Sequence, residues 1–464
     1  MDRKYISDLK QWLESPHRKP LVIWGARQVG KTYLIKELFA NQYFRDNFIY
    51  IDCRTEYRFT EYCAQHLNVN EVIDYLSLAF GKKIDASTLL IFDETQECPA
   101  VLTLLKYFNQ DRPEIPVIAT GSMVRIRLQR LSRSRGPGKD SAFLFPVGNI
   151  RQLTMYPMTF GEYLMNRNRL LFDAVCTAYR NKVPLKPEIH TLAMNTFNEY
   201  LLVGGMPKAV QTYLETGSLF ETHQRIQDLY DNYLADMELY QASPESTVRA
   251  RKIFQNIYPQ LNKESKNFKS SLIEENARTR DMQTPIDWLT MAFVAVRSSL
   301  VKEHVTLPLR ESSESLFRLY LSDIGMFFSQ SGVNPATLLT DSGRNTLSGI
   351  FYENYAACEL TAAGVPLFFW KGKGSGEFEF IVESCGAAVP IDVKKGRRTL
   401  NSLEKFKQHN TYSYAVKVSH NAFGFDAKTG ILTIPHYQFF LAAEDFGAGR
   451  SPLPQKEREI CCQQ

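Results

Sequence analysis

Long apolar runs are missing from this chain. No stretch approaches the about 18 consecutive apolar residues of a membrane-crossing helix, so neither such a helix nor a membrane partner is expected. The opening Met1-Asp2-Arg3-Lys4 is not followed by the apolar core of a secretory leader, and a cytoplasmic location is the expectation. Paired cysteines are missing too. The eight cysteines (Cys53, Cys63, Cys98, Cys176, Cys358, Cys385, Cys461 and Cys462) form no C-x-x-C pair. His66 follows Cys63 by three residues, without a second ligand pair to join it. That pattern reads as reduced, mostly buried thiols, not as a zinc module or a disulfide framework. The eight histidines are scattered, and none receives a role. There is no repeat and no low-complexity segment. The charge imbalance is small, a formal net charge of +5, which permits contact with nucleic acid without arguing for it. A hydrophobic content of 44% and a charged content of 23% are those of an ordinary globular protein. At 464 residues the chain exceeds what one core usually holds, so about two to four domains are expected.

What is present centres on Gly25-Ala26-Arg27-Gln28-Val29-Gly30-Lys31-Thr32. It fits G-x-x-x-x-G-K-[ST], the phosphate-binding P-loop. The apolar run Leu21-Val22-Ile23-Trp24 leads into the first glycine and reads as a buried parallel strand. After Thr32 the pattern turns helical, with Leu34, Ile35, Leu38 and Phe39 on one face. Glycines let the backbone curl so that successive N–H groups point at phosphate oxygens, and the following helix adds the partial positive charge of its N-terminus. Gly25 to Thr32, with Tyr33 after them, form the expected nucleotide-contacting set. Lys31 is expected to reach the β- and γ-phosphates, and the Thr32 hydroxyl to ligate Mg²⁺.

A P-loop needs a partner carboxylate. Leu89-Leu90-Ile91-Phe92 is a second apolar run, and it ends in Asp93-Glu94. An acid at the tip of a neighbouring parallel strand sits beside the phosphate crevice. Asp93 is placed in the Mg²⁺ shell and Glu94 as the group that polarises the attacking water. A nucleotide kinase has no need of Glu94, whereas a hydrolase does.

In chain order, residues up to Pro20 read as an amphipathic helix with Ile6, Leu9, Trp12 and Leu13 at helical spacing. Phe48-Ile49-Tyr50-Ile51-Asp52 reads as a strand, Phe59 to Phe80 as helical, and Val101, Leu104, Leu105 and Phe108 as a helix face. A further strand, Val117-Ile118-Ala119-Thr120, ends in Thr120-Gly121-Ser122. In P-loop ATPases with a strand added between the two motif strands, a polar residue at this tip contacts the γ-phosphate and the attacking water. Ser122 or Thr120 fits that role; a helix N-cap is an equal reading and does not exclude it. The densest cationic run follows: Arg125, Arg127, Arg130, Arg133, Arg135 and Lys139, around Gly136-Pro137-Gly138. Three readings stay open. It supplies an arginine finger in trans through self-association of residues 125–135, it tracks a phosphate backbone, or it is a solvated loop.

Together these stretches resemble the prokaryotic P-loop ATPases of the AAA type that carry a C-terminal domain of uncharacterised function. The resemblance extends through Asp93-Glu94-Thr95-Gln96 with Pro99, Phe145-Pro146-Val147-Gly148, Tyr156-Pro157-Met158-Thr159-Phe160 and Tyr200-Leu201-Leu202-Val203-Gly204-Gly205-Met206-Pro207. It reaches Tyr352-Glu353-Asn354 and Ile391-Asp392-Val393-Lys394. It implies a multidomain α/β chain in four parts: a P-loop NTPase parallel sheet over 1–160, a helical lid over 161–240, a winged-helix-like module over 241–333 and a restriction-endonuclease-like α/β domain over 334–464. The residues alone support parts of this. Phe160 to about Tyr240 is rich in helical pattern and is broken by Gly204-Gly205-Met206-Pro207. Phe293–Val296 and Val301–Leu307 read as strands of a wing. Arg278 and Arg280 open the helix that would enter a DNA groove, in a segment with a modest excess of Lys and Arg. Winged helices also serve as plain packing modules.

The last domain carries a second constellation. Glu353 falls in a helical pattern. Glu377-Phe378-Glu379-Phe380 alternates as a half-buried strand does, with its glutamates on one face. Asp392 and Lys394 share a face of the next strand. This resembles the acid followed by [DE]-x-K of restriction-endonuclease-like folds, in which carboxylates hold a divalent cation that activates water and a lysine positions the nucleophile. Glu379, Asp392 and Lys394 take those positions, with Glu353 as the supporting acid. Glu379 stands where the family usually has Asp, and Asp392 where it mostly has Glu. The pair is then a compensating swap or a decayed site, since Mg²⁺ demands tight octahedral geometry. Lys395, Arg397 and Arg398 follow, as phosphate contacts or as a solvated loop. The expectation is an ATP- and Mg²⁺-dependent hydrolase coupled to a module that acts on double-stranded DNA, with nuclease activity left open. The alternative is a nucleotide-dependent switch or scaffold with an inert C-terminal domain. A small-molecule kinase is a distant third.

Overall fold

Four of the apolar runs form the strands expected of them: β1 (Leu21–Gly25), β2 (Phe48–Asp52), β3 (Leu89–Asp93) and β4 (Val117–Gly121). A fifth, β5 (Arg151–Met155), was not foreseen, because Arg-Gln-Leu-Thr-Met has no apolar run and its first residues are exposed. The five make one parallel sheet in the order β2-β3-β4-β1-β5. β4 therefore lies between the P-loop strand and the Asp93-Glu94 strand, as the added-strand reading requires. β1, β3 and β4 are buried along their whole length, which is why they read as continuous apolar runs instead of alternating ones.

The computed structural model describes residues 1–122, 148–240, 243–334, 349–372, 376–394 and 401–454. The basic run from Arg125 to Lys139, Phe145–Val147, Lys395, Arg397, Arg398, Cys461 and Cys462 lie outside the described residues. The chain divides into two units, one of Arg3–Tyr156 and one of Met1–Asp2 with Pro157–Gln464. In the first, helix Tyr5–Leu13 buries Tyr5, Leu9 and Trp12. The helical stretch expected from Phe59 to Phe80 is two helices, Tyr57–Gln65 and Val69–Phe80. The break falls where Asn68 turns extended and its side chain accepts the Asn70 N–H at 2.9 Å, capping the second helix.

The second unit begins with five helices, Phe160–Arg167, Arg169–Arg180, Pro187–Val203, Pro207–Thr216 and Leu219–Tyr240. It then builds an eight-stranded sheet from β6 (Ala295–Leu300), β7 (Phe317–Leu321), β8 (Phe368–Lys371), β9 (Glu377–Ser384), β10 (Ala387–Val393), β11 (Ala415–Ser419), β12 (Gly424–Asp426) and β13 (Ile431–Pro435). The order is β12-β13-β11-β10-β9-β8-β6-β7. Two strand readings need correction. Val301–Leu307 is not a strand; the partner of β6 is β7, antiparallel and buried throughout. The apolar Phe317, Leu319 and Leu321 compete better for that edge than a stretch interrupted by Lys302-Glu303-His304. β6 also pairs with β8, so these strands extend the C-terminal sheet. And β9 is not half-buried: Phe378, Glu379 and Phe380 are all buried.

Several motif residues hold this unit together. Helix Gly349–Ala362 presents Asn354, whose side chain accepts the Leu321 N–H at 2.9 Å and donates to the Leu321 carbonyl at 3.0 Å. It completes the β7 ladder as another strand would. The Gly204-Gly205 break lets two backbones touch. A side chain at Gly205 would put its first carbon 2.1 Å from the Met158 carbonyl oxygen. Met158 N–H donates to Gly205 O at 2.7 Å, and the buried Asp323 accepts the Gly205 N–H at 2.7 Å.

Candidate functional site

The P-loop follows β1 without a gap. Gly25 (φ +153°) lies so close to β5 that an added side chain would meet the Met155 carbonyl oxygen at 2.3 Å. Gln28 and Gly30 have φ of +60° and +93°, the left-handed backbone that turns N–H groups to one side. The helix that continues the loop, Tyr33–Ala40, is of π type, a rare form that is frequent at functional sites. Lys31 is buried, and its ammonium donates to the carbonyls of Gly25 at 3.0 Å and Ala26 at 2.9 Å. Burial pulls its pKa down to about 8, against the attraction of Glu94 and Asp93. A cation desolvated among neutral carbonyls suits a loop that waits for an anion.

Asp93 is buried at the end of β3, and hydroxyls from three elements converge on it. Thr32 and Tyr50 donate to Oδ2 at 2.6 and 2.8 Å. Thr120 donates to Oδ1, which also accepts the Glu94 N–H at 3.0 Å. The Tyr50 phenol is pushed well above its ordinary pKa by burial and by the Asp93 charge, so it stays a donor. The carboxylate is thus oriented by protein groups. The Thr32 hydroxyl and an Asp93 oxygen already face one another as joint ligands of one divalent cation would. Glu94 has φ +52°, a strained conformation for a side-chain-bearing residue. Its carboxylate is held by Arg54 at 2.7 Å and by Gln96. Ser122 is buried just past β4.

Sequence reasoning missed three residues here. Arg3 is buried and donates to Val29 O at 2.9 Å and Tyr156 O at 2.8 Å, bracing the loop. Tyr50 and Arg54 sit on and just after β2. Their signal was β2's place beside β3, which becomes visible only once strand order is known.

Residues 17–164 match the family model of the AAA domain. Together with the parallel sheet and its strand order, that decides the first unit. It is of the P-loop ATPase type. A second family model, described only as a domain of unknown function, matches residues 194–337. No curated protein matches the chain. Among solved structures, the Walker-type ATPase PABY2304 of Pyrococcus abyssi is 16% identical, over 71% of this chain and 95% of that one, with a TM-score of 0.41. A signal-transduction ATPase with numerous domains and a tetratricopeptide repeat sensor from Pyrococcus horikoshii is 12% identical, over 76% of this chain and 47% of that one, with a TM-score of 0.25. No helix among the described residues is long and apolar enough to cross a membrane.

Charged side chains also gather in the second unit. In the second unit β9 and β10 pair antiparallel and bring Glu379, Asp392 and Lys394 together. Lys394 Nζ lies 2.7 Å from Asp392 Oδ1 and 3.3 Å from Glu379 Oε1. Glu379 Oε2 accepts the Val393 N–H at 3.2 Å. Glu353 accepts from Tyr320 at 2.6 Å and pairs with Arg318 at 3.4 Å and with Lys266. Lys266 and Arg318 carried no sequence signal; each arrives from a distant segment. Among the described residues no three His, Cys, Asp or Glu side chains are grouped as a metal ion requires.

Glu379 and Asp392 are buried against each other. Burial, then the Glu379 charge, push the Asp392 carboxyl up to about 8. Glu379 is held down to about 2: burial acts to raise it, and Lys266 and Lys394 outweigh that. The pair thus keeps one proton near neutrality. The folded state holds that proton in a window where an unfolded Asp has already released it, from about pH 4 to about pH 8. The stability contributed by protonated Asp392 is therefore present in full below about pH 4 and lost as pH rises through about 8. Asp392→Asn, which cannot ionise, is expected to flatten the fall in urea-unfolding stability of this unit between pH 5 and 8.5. An unchanged slope would place the proton elsewhere.

Proposed function

We propose that this chain is a Mg²⁺-dependent ATP hydrolase whose nucleotide cycle acts as a switch on its second unit. The observation that carries the reading is Asp93, oriented by Thr32, Tyr50 and Thr120, beside a buried Lys31 and followed directly by Glu94. In this reading Gly25, Ala26, Arg27, Gln28, Val29, Gly30 and Tyr33 cradle the phosphates. Lys31 leaves its two carbonyls for the β- and γ-oxygens. Thr32 and Asp93 would hold Mg²⁺, which would supply positive charge to offset that developing on the phosphate oxygens. Glu94 takes the proton of the attacking water, and Ser122 reaches the γ-phosphate. Arg54 pairs with Glu94 Oε1 and so orients the carboxylate.

A second reading keeps a nuclease in the second unit. It is favoured by the meeting of Glu379, Asp392 and Lys394 on adjacent strands, with DNA engaged near Arg278 and Arg280. An arginine finger among residues 125–135 is proposed as the means of self-association.

Steady-state ATP hydrolysis with Mg²⁺ at low salt, with and without double-stranded DNA, tests both. Hydrolysis that DNA leaves unchanged is the expected result for the switch. Stimulation of several-fold would put DNA in the role of partner. No hydrolysis under any condition would sink the ATPase reading itself.

A further inference from the structure

The sequence pattern assigns Glu353, Glu379 and Asp392 to a divalent cation, yet basic side chains sit among them in the fold. Lys266 Nζ contacts Glu353 Oε2 and lies 3.7 Å from Glu379 Oε1. It bridges the helix acid and the β9 acid as a metal ion would. Lys394 bridges Glu379 and Asp392 in turn. Arg318 spans Glu353 and Glu377 and stacks over the Phe369 ring at 4.0 Å. Glu353, Glu377, Glu379 and Asp392 thus each have an ammonium or guanidinium partner. Mg²⁺ or Mn²⁺ binds with oxygens about 2 Å from the ion, a space that the Lys266 ammonium takes. A dication placed beside it would also meet like-charge repulsion in a water-poor setting.

Lys266 is not a surface lysine that happens to lean inward. Two residues later, Phe268 donates its N–H to Phe317 O at 2.8 Å and stacks on the Phe317 ring at 5.1 Å. Lys269 N–H donates to the buried Gln260 side chain at 2.9 Å. The segment that carries the ammonium is thus pinned to β7 and to helix Ile257–Leu261. The Lys266 side chain is 21% exposed against 3% for Glu353, so its head is drawn into the cluster.

We propose that Lys266 is a built-in replacement for the divalent cation of this site. The cluster is then a metal-free charge knot that joins the 266 segment, β7, β9, β10 and helix Gly349–Ala362. Water activation by a metal ion between Glu379 and Asp392 is then not available to it, so the proposal and the nuclease reading exclude one another. The proposal stands apart from ATP turnover.

Its test is Mn²⁺ binding to the full nucleotide-free chain, read from the loss of the free-ion electron paramagnetic resonance signal. Wild type is compared with Glu379→Gln, Lys266→Ala and the double variant Lys266→Ala/Glu379→Gln. Wild type and Glu379→Gln are expected to titrate alike. Lys266→Ala, with its acids relieved of their cation, is expected to gain one Mn²⁺ bound at least tenfold more tightly than any wild-type site, and the double variant to lose it again. A wild-type Mn²⁺ that Glu379→Gln removes would overturn the proposal. So would a folded Lys266→Ala that gains no ion. Should Lys266→Ala fail to fold, the wild-type against Glu379→Gln comparison still decides, with Lys266→Gln as the neutral, hydrogen-bonding replacement.

Discussion

Lys31→Ala is expected to weaken ATP binding by at least about 100-fold. The native ammonium is buried against the Gly25 and Ala26 carbonyls, and burial draws its pKa down to about 8. Its hydrogen bonds to charged phosphate would be worth about 1.5–3 kcal/mol each, and about 1.4 kcal/mol is tenfold in affinity. Two such bonds account for the loss. The folded sheet should survive, because alanine leaves no charge stranded in the loop. Titration with a fluorescent ATP analogue reads the effect directly. Tight binding retained by the variant would refute the assignment of the loop as a phosphate cradle.

Glu94→Gln has the opposite signature. It is expected to bind ATP as wild type does and to hydrolyse it about 10²–10⁴-fold more slowly, the usual contribution of a positioned general base. The amide keeps the shape of the carboxylate but cannot accept a proton. It also gives up the ion pair with Arg54, so any change in binding should be a slight gain. Single-turnover hydrolysis separates the two quantities. A wild-type rate would move the base to another residue, with Ser122 and Thr120 the nearest polar groups at the tip of β4.

Much of the first unit was legible because three of its strands, β1, β3 and β4, are buried along their whole length. Leu21–Trp24, Phe48–Asp52, Leu89–Phe92 and Val117–Thr120 announce themselves as short apolar runs, and the loop pattern ties the first to a phosphate. β5 was not legible, since an edge strand that begins with Arg151 and Gln152 has no apolar run to read. Nor was the bracing by Arg3, whose partners Val29 and Tyr156 are far along the chain. In the second unit some local patterns were legible, but the Val301–Leu307 strand and the half-buried β9 were not, and the partners were missed. Glu353 lies on a helix, and Glu379, Asp392 and Lys394 meet as their spacing implied. But Arg318 and Lys266 looked like ordinary charged residues, because what makes them tolerable when buried is supplied by acids from other segments. The wing reading failed for a related reason. The choice between Val301–Leu307 and Phe317–Leu321 as the partner of β6 depends on which one the rest of the sheet can cover.

The order of the five strands has a consequence for how the first unit comes into being. β1 is the first of them to leave the ribosome, yet its neighbours come late: Leu21 pairs with Ile118 on one side and Arg151 on the other. Gly25 is fitted against the Met155 carbonyl. Pairings so distant in sequence form slowly and only after the intervening chain has been made. A nascent chain that has emerged as far as β3 contains the whole phosphate-binding motif and the acid that faces it, but not the wall that gives the loop its shape. The sheet is thus complete, and Gly25 has its neighbouring wall, only once the chain has been made as far as residue 155.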